Sequence, residues 1–477
     1  MNEPKIAVFT FAEHRNDFYE RRRPLLEKYS AQMRTVLAPV MKCTFFEPIR
    51  SLEKVREVVA SININQFDGA IFYFPIWVAP HFATVMANLL GLPILLLAND
   101  DIATSSLPGM LGCGAALDQI GFTHRRVWGN LEDPKVLQEI QSFARAAHAV
   151  NRLKGLRYGL FGGRSLGIYS AGIDPSQWQQ LFGIDVEHFD QLEIVRRADQ
   201  QDPAKVNKLM AWLERQGLTF AFNDGLFTQK HLELQIRSYL GTKELVAEHN
   251  LDFIGLKCQP EMSNGYCLQC LSVALLNDRY DADGIKAAVP CACEADGDGA
   301  LTMMILHQLS GGMPTALMDI RAVLPEEGIL LLNNCGSMAP YFAGRSEDPG
   351  QNFSRITLVP HVFGEAGGSS IQFTGEPGPL TLARLCRKGG RYWMAIGYGE
   401  VVADTKGLVR QSTTCWPHLV LKTDMDLERF VRNYGSNHIH GVAGDYRREL
   451  LELSRILKIE AEIFSGGEFF EETQCNA

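Results

Sequence analysis

Short, continuous apolar runs alternating with longer amphipathic segments dominate the first third of this chain. Residues 5–11 (KIAVFTF), 69–77 (GAIFYFPIW) and 93–99 (PILLLAN) are rich in Ile, Val, Leu and Phe, whereas residues 16–36 and 81–90 carry apolar side chains at helical spacing. Strands that lack polar alternation are buried on both faces, so the pattern predicts a parallel sheet with helices on each side. Functional side chains of such sheets sit on loops at the C-terminal strand ends. Here those loops carry Glu13, His14 and Arg15, then Trp77, then Asp100 and Asp101.

A basic helix-like stretch, residues 144–154, leads into a second α/β block. Residues 157–163 (RYGLFGG) read as a strand and a Gly-Gly turn, with further strands at 218–223 and 253–258 and helices at 205–216 and 231–249. The glycines do not complete a dinucleotide fingerprint and no P-loop pattern occurs, which argues against both phosphate-binding chemistries. Beyond residue 321 strand-like runs take over (328–332, 354–359, 370–374, 391–396), separated by Gly- and Pro-bearing turns. A helix at 446–457, a strand at 460–464 and a loose polar tail after Gly466 complete the chain. The predicted class is α/β: two Rossmann-like domains, 1–155 and 156–320, then a β-rich C-terminal domain, 321–477. A length of 477 residues suits three domains at roughly 150 residues each.

A formal charge of −9 over this length argues against an electrostatic nucleic-acid binder. No apolar run approaches the ~18 residues that span a bilayer, and the start, MNEPKIAVFTF, has no signal-peptide form. A cytoplasmic protein without membrane or nucleic-acid partners is expected. Eleven cysteines are an odd number for a disulfide framework, so reduced thiols are the default. Cys258, Cys267, Cys270, Cys291 and Cys293 cluster in sequence; they read as a structural zinc site or, for 267–276 (CLQCLSVALL), as small apolar fillers of a buried helix.

Chemistry concentrates in residues 290–302, PCACEADGDGALT, and far downstream in Asn437-His438. The first segment sets Glu294 among small residues before an apolar helix at 301–309; Asp319 ends the next apolar run. Two carboxylates and an imidazole from distant segments are the donor types of a hard divalent ion of mixed O/N ligation. Each has a plainer role: Glu294 beside a helix dipole, Asp319 as a solvated acid, His438 as an ordinary imidazole with His440 as its rival. Asp296 and Asp298 read as capping or turn carboxylates.

Cys293-Glu294-Ala295-Asp296 with Gly299 to Thr302 resembles the acidic-ligand segment of the L-fucose isomerase / L-arabinose isomerase superfamily, on its fucose isomerase-like branch. Asn437-His438, Gly444 and the helix LLELSRILKI resemble that branch's metal-histidine segment; Lys257-Cys258-Gln259-Pro260-Glu261 and Leu276-Asn277-Asp278 are similar to it too. The resemblance implies an aldose–ketose isomerase with a Mn²⁺-like ion (Mg²⁺ or Co²⁺ also suit) held by Glu294, Asp319 and His438. It gives Glu294 and Asp319 the proton transfer between C1 and C2 of an open-chain sugar.

The resemblance further implies sugar contacts from Asn437, Trp416, Lys257 or Gln259, and Trp77 and Arg15 of the first domain, in a homo-oligomer (trimer or hexamer). Where the arabinose branch places another histidine, this chain has Asn333-Asn334-Cys335-Gly336. That argues against a four-residue ligand shell and leaves the sugar open, from fucose- or arabinose-like to an acidic deoxy sugar. Two other functions use the same parts: a non-catalytic sugar-binding protein, and a metal-dependent sugar epimerase or lyase.

Overall fold

The computed structural model describes residues 3–223 and 225–464; the tail expected to be loose lies outside them. The chain divides into two compact units, Met1–Arg152 with Arg448–Ile459, and Leu153–Arg447 with Glu460–Ala477.

The first unit is a five-stranded, wholly parallel sheet ordered Lys42–Phe45, Lys5–Thr10, Gly69–Phe74, Ile94–Ala98, His124–Trp128. The three central strands are the predicted apolar runs, buried along nearly their whole length. Alternate residues feed two separate cores: Ala7, Phe9, Phe72 and Leu96 on one face, Ile6, Val8, Ile71 and Leu97 on the other. Residues 448–459, at the C-terminal end of the sequence, join the second of these through Ile456, and Arg125 pairs with Glu452 at 3.2 Å.

The second unit holds a four-stranded parallel sheet ordered Cys291–Cys293, Phe253–Leu256, Arg157–Phe161, Asp185–Phe189. Its larger sheet runs Gly378–Lys388, His438–Ala443, Thr315–Leu324, Ile329–Asn333, His418–Lys422, Arg391–Val402. Arg391–Val402 pairs again with Gly378–Lys388, closing six antiparallel strands into a ring; Glu460–Ile463 is added outside it in parallel. Closure leaves no free edge among the six, which removes the usual template for aggregation.

The chain is therefore α/β with a β-rich C-terminal part. The expected boundary near residue 320 does not separate compact bodies. One apolar core runs from Phe161 and Ile254 to Leu330, Leu382 and Phe464. The strand Thr219–Phe220, read as part of the α/β block, pairs instead with Thr357–Pro360 of the later region. Among the described residues no helix is long and apolar enough to cross a membrane.

Candidate active site

Glu294 leaves the strand Cys291–Cys293 and is followed, two residues on, by the N-cap of the helix Gly297–Leu309. Glu294 and Ala295 both take left-handed backbone conformations, φ +58° and +52°. For residues with a Cβ this costs about 1–3 kcal/mol each and is held only where the surroundings dictate it. Here Ala295 N–H donates to Leu256 (3.1 Å) and Asp296 N–H to Cys293 (3.2 Å), fixing a reversal that turns the Glu294 carboxylate toward His438. Asp319 and His438 are direct register partners on antiparallel neighbours, so their side chains share a face. Glu294 Oε2 lies 3.2 Å and Asp319 Oδ1 3.6 Å from His438 Nε2. That nitrogen is buried and makes no well-formed hydrogen bond.

Electrostatics follow from this crowding. Burial opposes charge on His438, but hydrogen bonding to Asp296, contact with Glu294 and the field of Asp319 raise its pKa to about 10. Burial lifts the Asp319 carboxyl above its ordinary value; His438 opposes the lift and Glu294 adds to it. Asp319 is nonetheless 34% exposed, so one side of the cluster faces solvent.

Among the described residues no three His, Cys, Asp or Glu side chains already stand as a finished metal cage. Donors on an octahedral ion at ~2.1 Å sit roughly 3.0 Å apart when adjacent. The 3.2 and 3.6 Å separations about His438 Nε2 are a small side-chain rotation from that, and an orphaned imidazole nitrogen facing two carboxylates is a donor set for a hard divalent ion. The residues fit the ion. The five cysteines divide: Cys258, Cys270 and Cys293 line one cavity with Cys335, whereas Cys267 contacts Ser238 and Gln269 and Cys291 packs in the main core, and no metal-holding cysteine group stands among the described residues. The ten cysteines among the described residues are free thiols.

Two of the acids read as caps do more. Asp296 is the N-cap, accepting from Gly299 N–H at 2.9 Å, but it is fully buried, paired with the guanidinium of Arg384, and 2.7 Å from His438 Nδ1. Burial works against its charge; Arg384 and His438 outweigh that and hold its carboxyl far below the usual range. Asp298 is paired with Arg387 (2.8 Å) and accepts from Tyr392 Oη (2.7 Å); burial pushes its pKa up to about 6. His440, on the same face as His438, is buried with both nitrogens unpartnered beside Gly299. A Cβ at Gly299 would come within 2.6 Å of His440 Nε2 and 2.7 Å of Asp296. Gly299→Ala is thus expected to destabilise by about 1–3 kcal/mol, read as a lower denaturant midpoint with an unchanged slope.

Residues 332–464 match the model of the L-fucose isomerase C-terminal domain. A sulfoquinovose isomerase of Alkalicoccus urumqiensis is 24% identical over 74% of this chain and 75% of its own. L-fucose isomerases of Haemophilus influenzae (strain PittEE) and Salmonella typhi are each 25% identical, covering 74% of this chain and 73% of theirs. These matches support the fucose isomerase-like family for this chain. Likeness to solved structures is weak. An ABC-transporter binding protein of Actinobacillus succinogenes 130z with bound D-allose matches at 11% identity over 65% of this chain and 92% of that one. The TM-score of that match is 0.14.

The remaining residues singled out from the fucose isomerase-like motifs divide. Asn437 is exposed at the site, its Nδ2 3.5 Å from Asp319 Oδ1. Gln259 lines a small cavity with Glu294, Cys258, Cys270, Cys293, Cys335 and His361. Trp416 reaches that cavity through His361, whose ring is 6.0 Å away, and packs on Phe363. Lys257 does not line the cavity; its ammonium pairs with Glu261 at 2.6 Å. Arg15 and Trp77 belong to the first unit and cluster there, the guanidinium 5.8 Å from the indole and bonded to Glu13 at 2.8 Å. Within Asn333-Asn334-Cys335-Gly336, Asn334 caps a turn by accepting from Ser337 N–H and Oγ–H, both 2.7 Å.

Sequence reasoning missed Arg384, Asn333 and the second role of Asp296. Arg384 left a signal: an arginine inside the apolar strand Gly378–Lys388 demands a buried acid. Asn333 is the register partner of Asp319, buried with Nδ2 unpartnered, and nothing local in the sequence marks it.

Proposed function

We propose that this chain is a metal-dependent aldose–ketose isomerase acting on an open-chain sugar by way of an enediolate. Similarity to relatives named as sugar isomerases supports the isomerase reading. The meeting of Glu294 and Asp319 at the orphaned Nε2 of His438 carries the site assignment. These three residues would hold a divalent ion of the Mn²⁺, Mg²⁺ or Co²⁺ kind, which when bound supplies Lewis-acid polarisation of a sugar carbonyl.

The side chains around them do the rest. Glu294 and Asp319 flank the same point, so either carboxylate can take the C2 proton and return it to C1. The exposed amide of Asn437, which donates to Asp319 at 3.5 Å, stands where it can bind a sugar hydroxyl. Trp416 and Phe363 offer an apolar wall for the C–H face of a sugar, and Gln259 an amide at the cavity. The relatives' names span a deoxy sugar and a sulfonated one, so the substrate panel must include both neutral and anionic aldoses.

Chelation is expected to abolish ketose formation, and added Mn²⁺ to restore it. In deuterated water the ketose should carry solvent deuterium at C1. Turnover indifferent to chelation removes the proposal. His438→Ala should bind Mn²⁺ at least about tenfold more weakly; unchanged metal occupancy counts against the ligand assignment.

A further inference from the structure

We propose that Asp296, held by Arg384, is the positioning residue that fixes the orientation and tautomer of His438 for metal binding; this rests on the ligand assignment above. The hydrogen-bond count around Asp296 decides its role. Its carboxylate receives Gly299 N–H (2.9 Å) and Arg384 Nη2–H (3.0 Å) on Oδ1, and Arg384 Nη1–H and His438 Nδ1 (2.7 Å) on Oδ2. Both oxygens are occupied, so Asp296 has none to offer a metal. An ionised carboxylate only accepts, hence the contact with His438 requires the proton on Nδ1. Nε2 is then the ring nitrogen that faces Glu294 and Asp319.

Asp296 is itself immobile. It is fully buried at the helix N-terminus, and the Arg384 side chain that grips it also donates to the Ser170 carbonyl at 2.7 Å. Ser170, Arg384, Asp296 and His438 thus form one line of hydrogen bonds ending at the candidate ligand. Outer carboxylates of this kind raise the basicity of a ligating imidazole, and losing one typically weakens metal binding 10–100-fold. The capping role is separable, because the helix N–H uses Oδ1 and the imidazole uses Oδ2.

Asp298 supplies the control. It is equally buried on the same helical turn and also paired with an arginine, yet its partners are Arg387, Tyr392 and Trp178 rather than a histidine. Mn²⁺ binding to metal-free protein, followed by titration calorimetry and by the electron paramagnetic resonance of free Mn²⁺, should be compared for wild type, Asp296→Asn and Asp298→Asn. Asp296→Asn should weaken Mn²⁺ by a factor of ten or more, and Asp298→Asn by less than twofold at similar loss of thermal stability. Equal weakening in both variants, or none in either, overturns the proposal.

Should Asp296→Asn not fold, ¹⁵N-histidine spectra of the wild-type protein with diamagnetic Mg²⁺ serve instead, the His438 signals being those lost in His438→Gln. Nδ1 must then appear protonated and Nε2 bare; the opposite pattern refutes the assignment. Wild type that binds no divalent ion at all defeats the functional reading itself, whereas normal wild-type binding with an unaffected Asp296→Asn defeats only this inference.

Discussion

Glu294→Gln should eliminate ketose formation, by at least about 10²–10⁴-fold, while leaving the protein folded. The substitution keeps the shape of the side chain and removes its charge. Glu294 contributes nothing to the helix cap, which belongs to Asp296, and its carboxylate, 13% exposed, lies 3.2 Å from His438 Nε2. Folding does not depend on that charge, whereas an ion and a proton acceptor both do. The measurement is ketose production with added Mn²⁺, beside a thermal melt and metal content. Near-normal turnover refutes the catalytic assignment, and a collapsed melting point shows that Glu294 is structural.

The largest stability effect belongs to Arg384→Leu. Arg384 and Asp296 are 1% and 0% exposed, so deleting the guanidinium strands a carboxylate in the interior. Breaking such a pair from one side costs about 3–5 kcal/mol, because the remaining charge loses its compensation while keeping its desolvation penalty. The double variant Arg384→Leu with Asp296→Asn should recover part of that loss, since no buried charge is then left unpaired. Chemical denaturation of the two single variants and the double one gives the coupling directly. A loss below about 1 kcal/mol in Arg384→Leu would mean that water reaches this pair.

How much of this was legible beforehand depended on whether the governing contacts were local. The central strands of the first sheet announced themselves because burial on both faces forces unbroken apolar runs. Edge strands did not. Lys42–Phe45, His124–Trp128 and Asp185–Phe189 are half exposed and carry polar side chains, so their sequences (KCTF, HRRVW, DVEHF) lack the signature. Ring closure was invisible for another reason: it depends on Gly378–Lys388 meeting both Arg391–Val402 and His438–Ala443, and only the first pairing is short-range.

Glu294, Asp319 and His438 were named from motif resemblance; Asp319 meets His438 through one backbone register and Glu294 joins them through a left-handed reversal, neither of which a local pattern encodes. Asp296 was half read. An aspartate three residues before Gly299 marks a cap, but its second partner stands 142 residues downstream. The capping role holds, and the buried ion pair and the histidine contact are added to it. Lys257, expected with Gln259 as a residue that could face the reaction site, is captured by Glu261 four residues on, an acid visible in the same short motif.

The closed ring has a mechanical consequence for catalysis. His438–Ala443 and Thr315–Leu324 are each hydrogen-bonded to a strand on both sides. Sliding either by one residue would turn His438 or Asp319 to the opposite face and break two ladders at once. Those two groups behave as a rigid anvil, and accommodation of an arriving molecule falls to the single-stranded reversal that bears Glu294.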